Sequence, residues 1–145
     1  MSLSNLSNLS HLIRTKAIYE PAEKEDGARF LVVRFPKNIG RNHYLQWVPD
    51  VSPSPQLLKS FKERKITWKA FYGKYIQEMS TSQAAHKRIH WFRGLIQQRQ
   101  KITFLCYEAE FRQDCHRHIL KRLVLGTEAE SVPDSHLSMS NAELV

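Results

Sequence analysis

The stretch ITFLCY, residues 102–107, decides the fold class of this sequence. A continuous apolar run of this length, rich in β-branched and aromatic residues, is typical of a strand buried on both faces of a parallel sheet. The run FLVV at 30–33 has the same character, and KAIY at 16–19, stopped by Pro21, is a third candidate strand. The segment 37–53 has no clear period and predicts mostly loop.

Helical patterns separate and follow these runs. Ser54 followed by Pro55 is a helix start, and Thr67 can cap a second helix. Apolar residues at helical spacing follow these starts. The sequence predicts helices near 55–64, 68–79, 82–98 and 114–125. Strands that alternate with helices predict a single α/β domain, in which a mainly parallel sheet is flanked by helices.

Two of the predicted helices carry residues that resemble ligand sites. In the second helix, Trp68, Phe71 and Tyr75 recur at helical spacing. This spacing favours a core face over a ligand box, so we expect Trp68 and Phe71 to be largely buried. In the third helix, His86 and His90 stand four residues apart among Lys and Arg residues. Like charges disfavour a metal there, so we interpret this surface as a solvated basic face.

The two ends of the chain differ in composition from the body. Residues 1–12 repeat Ser-Asn-Leu every three residues and predict a flexible N-terminal arm. Residues 126–145 are acidic, Ser-rich and without aromatics, and predict a mobile tail. The α/β domain is expected at 13–125. The N-terminus does not read as an export signal and the chain has two cysteines, so we expect free thiols and a cytoplasmic location.

The charge of the chain is uneven. Lys and Arg number 22 against 14 Asp and Glu, which gives a formal net charge of +8. Residues 126–145 hold four carboxylates and no Lys or Arg, so the rest of the chain carries +12. Such a field attracts polyanions, and the expected partner is an anionic small molecule or a nucleic acid. No apolar run approaches the ~20 residues of a membrane helix, so no membrane partner is expected.

The sharpest chemical motif is Cys106-Tyr-Glu108, followed after six intervening residues by Cys115-His116-Arg117. Cys106 ends a predicted strand and Cys115 opens the next helix. Both are therefore expected at the carboxyl edge of the sheet, where open α/β sheets bind ligands. At about 100° per residue, His116 falls within the apolar face of the helix and should point inward, while Cys115 and Arg117 flank that face.

These residue types predict an enzyme-like or ligand-binding site for an anionic, phosphorylated or nucleotide-like ligand. The positive end of the helix favours a thiolate at Cys115, which would act as nucleophile or redox thiol. His116 and Glu108 are the other candidate catalytic groups. The candidate ligand-binding residues are Arg117, which would clamp the anion, Cys106, and the pair Arg34 and Lys37 after the second strand.

Other interpretations of the same motif stay open. Cys106, Cys115 and His116 supply three metal ligands at most, which is the number a catalytic zinc site needs and one fewer than a structural site needs. The two cysteines could form a redox pair, although they lack Cys-x-x-Cys spacing. The residues could also only fill the core and cap local structure. The motif by itself assigns neither a metal nor a cofactor.

The positive charge supports a second hypothesis of a different class, a nucleic-acid-associated basic binding module. The Cys-His-Arg cluster would then be structural. Nucleic-acid binding should weaken steeply with ionic strength and survive Cys115→Ser. A small-ligand site should lose function with that substitution and depend less on bulk charge.

Taken in order, these and other residues resemble the domain-of-unknown-function family 488 over about residues 16–125. The matching pieces are Tyr19-Glu20-Pro21, Asp26-Gly27-x-Arg29-x-Leu31-Val32-x-Arg34, Trp47-x-Pro49, Ser52-Pro53-Ser54-x-x-Leu57-Leu58, Ile66-x-Trp68-x-x-Phe71-x-x-x-Tyr75-x-x-Glu78-Met79, Thr103-x-Leu105-Cys106-x-Glu108 and Cys115-His116-Arg117-His118. Their order and spacing together carry the resemblance, and the sequence is similar to archaeal-type members. It departs where the family often has a Pro-Arg-Gly loop, because Pro36 is followed here by Lys37-Asn38. The resemblance implies a small cytoplasmic α/β protein and implies no reaction, cofactor or substrate.

Overall fold

The computed structural model describes residues 4–36, 44–108, 112 and 114–127. Lys37 and residues 128–145 of the predicted tail lie outside the described residues. Within the described ranges, no helix has the length and apolar composition needed to cross a membrane.

The described residues form four strands and four α-helices, together with short 3₁₀-helices. The strands are β1 Ile13–Ala17, β2 Ala28–Leu31, β3 Gln46–Trp47 and β4 Ile102–Cys106. The helices are α1 Pro55–Lys62, α2 Trp68–Thr81, α3 Gln83–Gln97 and α4 His116–Leu125. The predicted helices are confirmed to within a few residues at each end. The short strand β3 is not among the predicted strands, because it lies in the segment 37–53, which is predicted mostly as loop.

The strands form one sheet in the order β1-β4-β2-β3, and every pairing is parallel. Strand β4 lies at the centre, with Ile102 opposite both Ile13 and Ala28, and Cys106 opposite Ala17. Because the strands are parallel, their carboxyl ends meet at one edge of the sheet. The structure therefore confirms a single-domain α/β fold with a parallel sheet, and it places Cys106 at that edge.

Helices α3 and α4 cover one face of the sheet. Phe92 of α3 packs edge-on against Phe104 of β4 and Phe30 of β2, with ring centroids 4.9 Å and 5.2 Å apart. His116 of α4 lies beside Cys106, which shares this face with Phe104 because alternate strand residues point the same way. The start of α4 is thus fixed against the carboxyl end of β4.

Helix α2 packs through its aromatic stripe, although not as completely as the sequence predicts. The Thr67 hydroxyl accepts a hydrogen bond from the Ala70 amide and caps the helix. Phe71 and Tyr75 are buried, with exposures of 2% and 0%. Trp68 stacks on Phe71, with ring centroids 5.1 Å apart. Its side chain is nevertheless only half-buried, because Trp68 lies in the first turn of α2 beside an open cleft.

The other face of the sheet carries a buried charge network centred on Asp26. This carboxylate accepts hydrogen bonds from Arg14 at 2.7 Å, Lys16 at 3.0 Å and Arg29 at 2.5 Å. Burial alone would raise the pKa of Asp26. Hydrogen bonds from Lys16, the Glu23 backbone and Arg29 outweigh that effect and lower the pKa. The sequence predicts only a turn here, because nothing local shows that three cations from two strands converge on one carboxylate.

The glycine after Asp26 is required by the same turn. Gly27 has φ of 61°, and a Cβ at this position would lie 2.0 Å from the carbonyl oxygen of Lys101. Only glycine fits this close approach of the turn to the residue before β4.

The predicted flexible arm differs from the structure over residues 7–12. These residues form a 3₁₀-helix with Leu9 and Leu12 buried. Arg93 of α3 donates hydrogen bonds to the Ser4 carbonyl at 2.6 Å and the Val124 carbonyl at 2.6 Å, which fixes the segment between α3 and α4. The physical reason lies in the period, because a 3₁₀-helix has three residues per turn and lines up leucines spaced by three.

Replacement of Phe71 by alanine should lower the free energy of unfolding by about 3–5 kcal/mol, because it removes a buried aromatic side chain. Urea denaturation measures the change. Phe35→Ala is the control, since Phe35 is 61% exposed and its loss should cost little. A near-zero effect of Phe71→Ala would contradict the packing of α2.

Asp26→Asn should destabilise the protein at neutral pH by about 3–5 kcal/mol, because it leaves Lys16 and Arg29 buried without their carboxylate. The depressed pKa of Asp26 makes this stabilisation present above its unfolded pKa of about 3.9 and lost as pH falls through the folded pKa. The difference between wild type and variant in urea should therefore shrink below about pH 4.

Asp50→Asn is the control for this comparison. Asp50 pairs with Arg88 at 3.3 Å, and both side chains are partly exposed, so the variant should lose about 0–1 kcal/mol. A pH-independent difference for Asp26→Asn would contradict the assigned role of the carboxylate.

Candidate functional site

The residues of the Cys-Glu and Cys-His-Arg motif meet at the carboxyl edge of the sheet. Cys106 ends β4 and Cys115 is the N-cap of α4. The Cys115 thiol donates a hydrogen bond to Glu108 Oε1 at 3.4 Å, and Cys106 Sγ lies 3.9 Å from Nε2 of His116. The structure thus brings four of the predicted site residues into one cluster, which we call the thiol cluster: Cys106, Glu108, Cys115 and His116.

His116 points inward, as the helix geometry predicts. It is 7% exposed, and its ring packs edge-on against Tyr75 with centroids 5.5 Å apart. Nε2 lies 2.5 Å from the Val32 carbonyl oxygen, which can only accept a hydrogen bond. Nε2 therefore carries hydrogen, and in the neutral ring Nδ1 carries the lone pair.

Arg117 has a different setting from the anion clamp that the sequence predicts. Its side chain is fully buried and donates to the carbonyl oxygens of Glu108 at 2.8 Å and Lys16 at 3.3 Å. It is not among the residues that line the cleft described below. Arg117 therefore holds the backbone of Glu108 against β1.

The hydrogen bonds of Arg34 go to residues outside the thiol cluster. Its guanidinium donates to the carbonyl oxygens of Pro53 at 3.0 Å and Ser52 at 3.3 Å. These bonds fasten the chain after β2 to the segment that precedes α1. Arg34 is absent from the cleft lining, and Lys37, its predicted companion, lies outside the described residues.

A cleft of about 430 Å³ opens beside the thiol cluster. Cys115, His116, Glu108 and Asp114 line it on the side of α4. The opposite side comes from α1, the α1–α2 connection and the start of α2. The lining residues on that side and at the rim are Leu58, Phe61, Lys62, Arg64, Ile66, Thr67, Trp68, Phe71 and Arg112.

The wall and rim of the cleft are the parts of the site that sequence reasoning missed. The ring centroid of Phe61 lies 5.6 Å from that of Trp68 and 5.0 Å from that of Phe71, so the three rings form one aromatic wall. Lys62, the last residue of α1, and Arg64 belong to a run of charges at 62–65 that, by sequence, is indistinguishable from a solvated surface. The packing of α2 on α4 brings this side of the cleft opposite the thiol cluster.

Burial and hydrogen bonding separate the two thiols. Burial raises the pKa of Cys106 well above its ordinary value. The pKa of Cys115 is lowered well below its ordinary value, first by a hydrogen bond from the Cys106 thiol and then, against the effect of burial, by His116 and Arg117. Burial and the neighbouring Cys115 raise the pKa of Glu108. These shifts favour ionisation of Cys115 over Cys106, and they keep the proton on Glu108 up to a higher pH than in a free carboxyl group.

The same cluster contains a set of metal-ligand atoms. Ligand atoms of Cys106, Cys115 and His116 all lie within 4.8 Å of one another, and all three residues are buried. Two thiols and one imidazole are donors that zinc accepts.

The fold and the site define a class of protein: a small α/β domain with a buried thiol cluster at the carboxyl edge of a parallel sheet, open to an aromatic-walled cleft. A family model described as DUF488-N3a, the active DUF488-N3 subclade, matches residues 13–128. The chain therefore belongs to the DUF488 family, which confirms the resemblance drawn from its motifs. The uncharacterized protein YeaO of Escherichia coli (strain K12) is 30% identical over 111 residues, which cover 74% of this chain and 92% of YeaO. No solved structure matches the chain significantly.

Iodoacetamide at neutral pH should alkylate Cys115 faster than Cys106. Cys115 lines the cleft and has the lowered pKa, whereas Cys106 is fully buried behind it. Peptide mapping by mass spectrometry over a time course measures both rates. Preferential labelling of Cys106 would overturn the assignment of Cys115 as the reactive thiol.

Proposed function

We propose that this chain is an enzyme that binds a planar, phosphorylated, nucleotide-like ligand in the cleft and attacks it with the Cys115 thiolate. The observation that carries the proposal is the hydrogen-bonded pair of Cys115 and Glu108, 3.4 Å apart, at the cleft surface. The matching family model describes its subclade as active, which agrees with a catalytic function.

The pair has the properties of a nucleophile and its acid. Cys115 Sγ attacks an electrophilic atom of the ligand and forms a covalent bond, while the bond to the leaving group breaks. Glu108, whose pKa is raised by burial, supplies the proton to the leaving group. Water then attacks the intermediate and gives its proton to the Glu108 carboxylate, which restores the free thiolate.

The aromatic wall supports a planar ligand. Trp68 is half-buried and stacks on Phe71, so one part of the indole stays accessible from the cleft. Stacking of a base on an aromatic side chain stabilises binding by about 1–3 kcal/mol and tolerates different bases. A nucleobase or a similar flat ring fits this wall.

The rim supports an anionic group on the same ligand. Lys62, Arg64 and Arg112 lie at the mouth of the cleft, and Arg112 makes a bidentate pair with Asp114 at 2.7 and 2.8 Å. Because Arg112 is already engaged, Lys62 and Arg64 are the cations best placed for a phosphate. Ring and phosphate together define a nucleotide-like ligand.

The proposed location is the cytoplasm, because catalysis by Cys115 needs a reduced thiol, and Cys106 and Cys115 lie close together. A nucleic-acid-associated module remains the competing proposal, since the charge of residues 1–125 would also favour a polyanion. The two proposals differ in the role they give to the thiol and in their dependence on salt.

Adenosine monophosphate, adenosine and inorganic phosphate are the probes for the cleft. Adenosine monophosphate should bind more tightly than either fragment and should slow the alkylation of Cys115. The double variant Lys62→Gln/Arg64→Gln should weaken its binding about tenfold or more, the effect of losing charge-assisted hydrogen bonds, with little effect on adenosine. Isothermal titration calorimetry measures the affinities.

Lys59→Gln/Lys65→Gln is the matched control. It removes the same charge from the same region, and neither residue lines the cleft. Equal weakening by both double variants would reject the phosphate subsite. Binding of a single-stranded oligonucleotide that falls steeply with salt and is unchanged in Cys115→Ser would favour the nucleic-acid module instead.

A further inference from the structure

We propose that the thiol cluster is also a binding site for a single zinc ion, held by Cys106, Cys115 and His116 with the fourth coordination position open to the cleft. This inference goes beyond the proposed function, because zinc would withdraw electron density from the Cys115 thiolate and so lower the nucleophilicity that the proposed attack needs. An ion in the site would therefore hold the enzyme in a protected, inactive form.

The spacing of the ligand atoms fits a zinc site after a small contraction. With Zn–S near 2.3 Å and Zn–N near 2.0–2.1 Å, ligand atoms of a tetrahedral site lie about 3.5–3.8 Å apart. In this structure the three ligand atoms lie within 4.8 Å of one another. Nε2 of His116, the ring nitrogen that would not bind the ion, lies 3.9 Å from Cys106 Sγ, so the imidazole ring is beside the buried sulfur.

His116 is held as metal-binding histidines usually are. Its Nε2 donates to the Val32 carbonyl at 2.5 Å, which leaves Nδ1 as the nitrogen for the ion. A backbone carbonyl or carboxylate that accepts from the second ring nitrogen fixes the tautomer and orientation of a histidine ligand. Tyr75 packs against the same ring and limits its rotation.

The charge of the cluster is balanced by a divalent ion. Two thiolates would neutralise Zn²⁺, so the loaded site would bury no net charge from these groups. Without an ion, two thiolates side by side in a buried site would repel each other, so both sulfurs cannot ionise together at low cost. Binding should therefore release protons from the thiols, as zinc binding by cysteines does.

The cleft provides both the entry path and the open position. Cys115 and His116 line the cleft, while Cys106 lies fully buried behind them. Glu108 Oε1, 3.4 Å from Cys115 Sγ, is on the accessible side of the cluster. Three protein ligands with one position left for water or another oxygen ligand is the pattern of an open zinc site.

Titration of the purified, reduced full-length chain with zinc against a chromogenic chelator tests the proposal. We expect one zinc per chain. Cys106→Ser and Cys115→Ser should each lower the affinity by more than the ~10–100-fold that loss of an outer contact costs. Cobalt(II) should give the wild-type protein the charge-transfer absorption of thiolate ligands and the visible bands of a tetrahedral ion, a readout that needs no variant.

His86→Ala/His90→Ala is the control for surface binding, because this exposed pair on α3 has rings 4.6 Å apart and is the obvious adventitious site. It should leave the stoichiometry unchanged. Loss of zinc in this variant, or a cobalt spectrum without thiolate absorption, would overturn the proposal.

Alkylation separates this inference from the proposed function. Zinc should protect Cys115 from iodoacetamide, and a chelator should reverse the protection. Alkylation of Cys115 at an equal rate with and without zinc would reject the metal site and leave the nucleophile standing. Resistance of Cys115 to alkylation in the metal-free protein would reject the nucleophile, while the zinc titration would still decide the metal site.

Discussion

The parallel hydrogen bonding of β4 between β1 and β2 is the constraint on which the site depends. It aligns the carboxyl ends of three strands, so that Cys106 emerges next to Ala17 and the chain after β2. Helix α4 must then begin at the same edge, because its apolar face packs on β1 and β4. A shift of this register would separate Cys106 from Cys115 and His116, and the cluster that carries the proposed nucleophile and the proposed metal site would be lost.

Buried polar groups stabilise the two faces of the sheet in different ways. On one face Asp26 gathers three cations and closes the turn before β2. At the carboxyl edge Arg117 donates hydrogen bonds to backbone carbonyls and fixes the position of Glu108. Both groups are fully buried charges, which proteins keep only where partners satisfy them. The thiol cluster therefore rests on a scaffold whose geometry is set by charge as well as by apolar packing.

The differences between the sequence-based expectations and the observed contacts have particular causes. The Ser-Asn-Leu repeat was expected to be a flexible arm, since its period fits neither an α-helix nor a strand, but a period of three suits the 3₁₀-helix found at residues 7–12. Arg117 is a predicted anion ligand because it belongs to the motif at the start of α4, and Arg34 because the loop after the second strand should reach the same edge of a parallel sheet. Their hydrogen bonds to backbone carbonyls depend on distant segments, which local patterns do not reveal.

The sequence by itself determined the parallel α/β class, the helix starts at Ser54 and Thr67, and the convergence of Cys106, Cys115 and His116, because hydrophobic period and capping chemistry are local properties. Membership of the DUF488 family follows from the order of the same motifs. Only the tertiary structure decided that Phe61, Trp68 and Lys62 face that cluster across a cleft. The reason is physical: the position of α1 and α2 relative to α4 is set by side-chain packing between segments far apart in the chain, as in the contact of Tyr75 with His116, and no local pattern encodes such a contact.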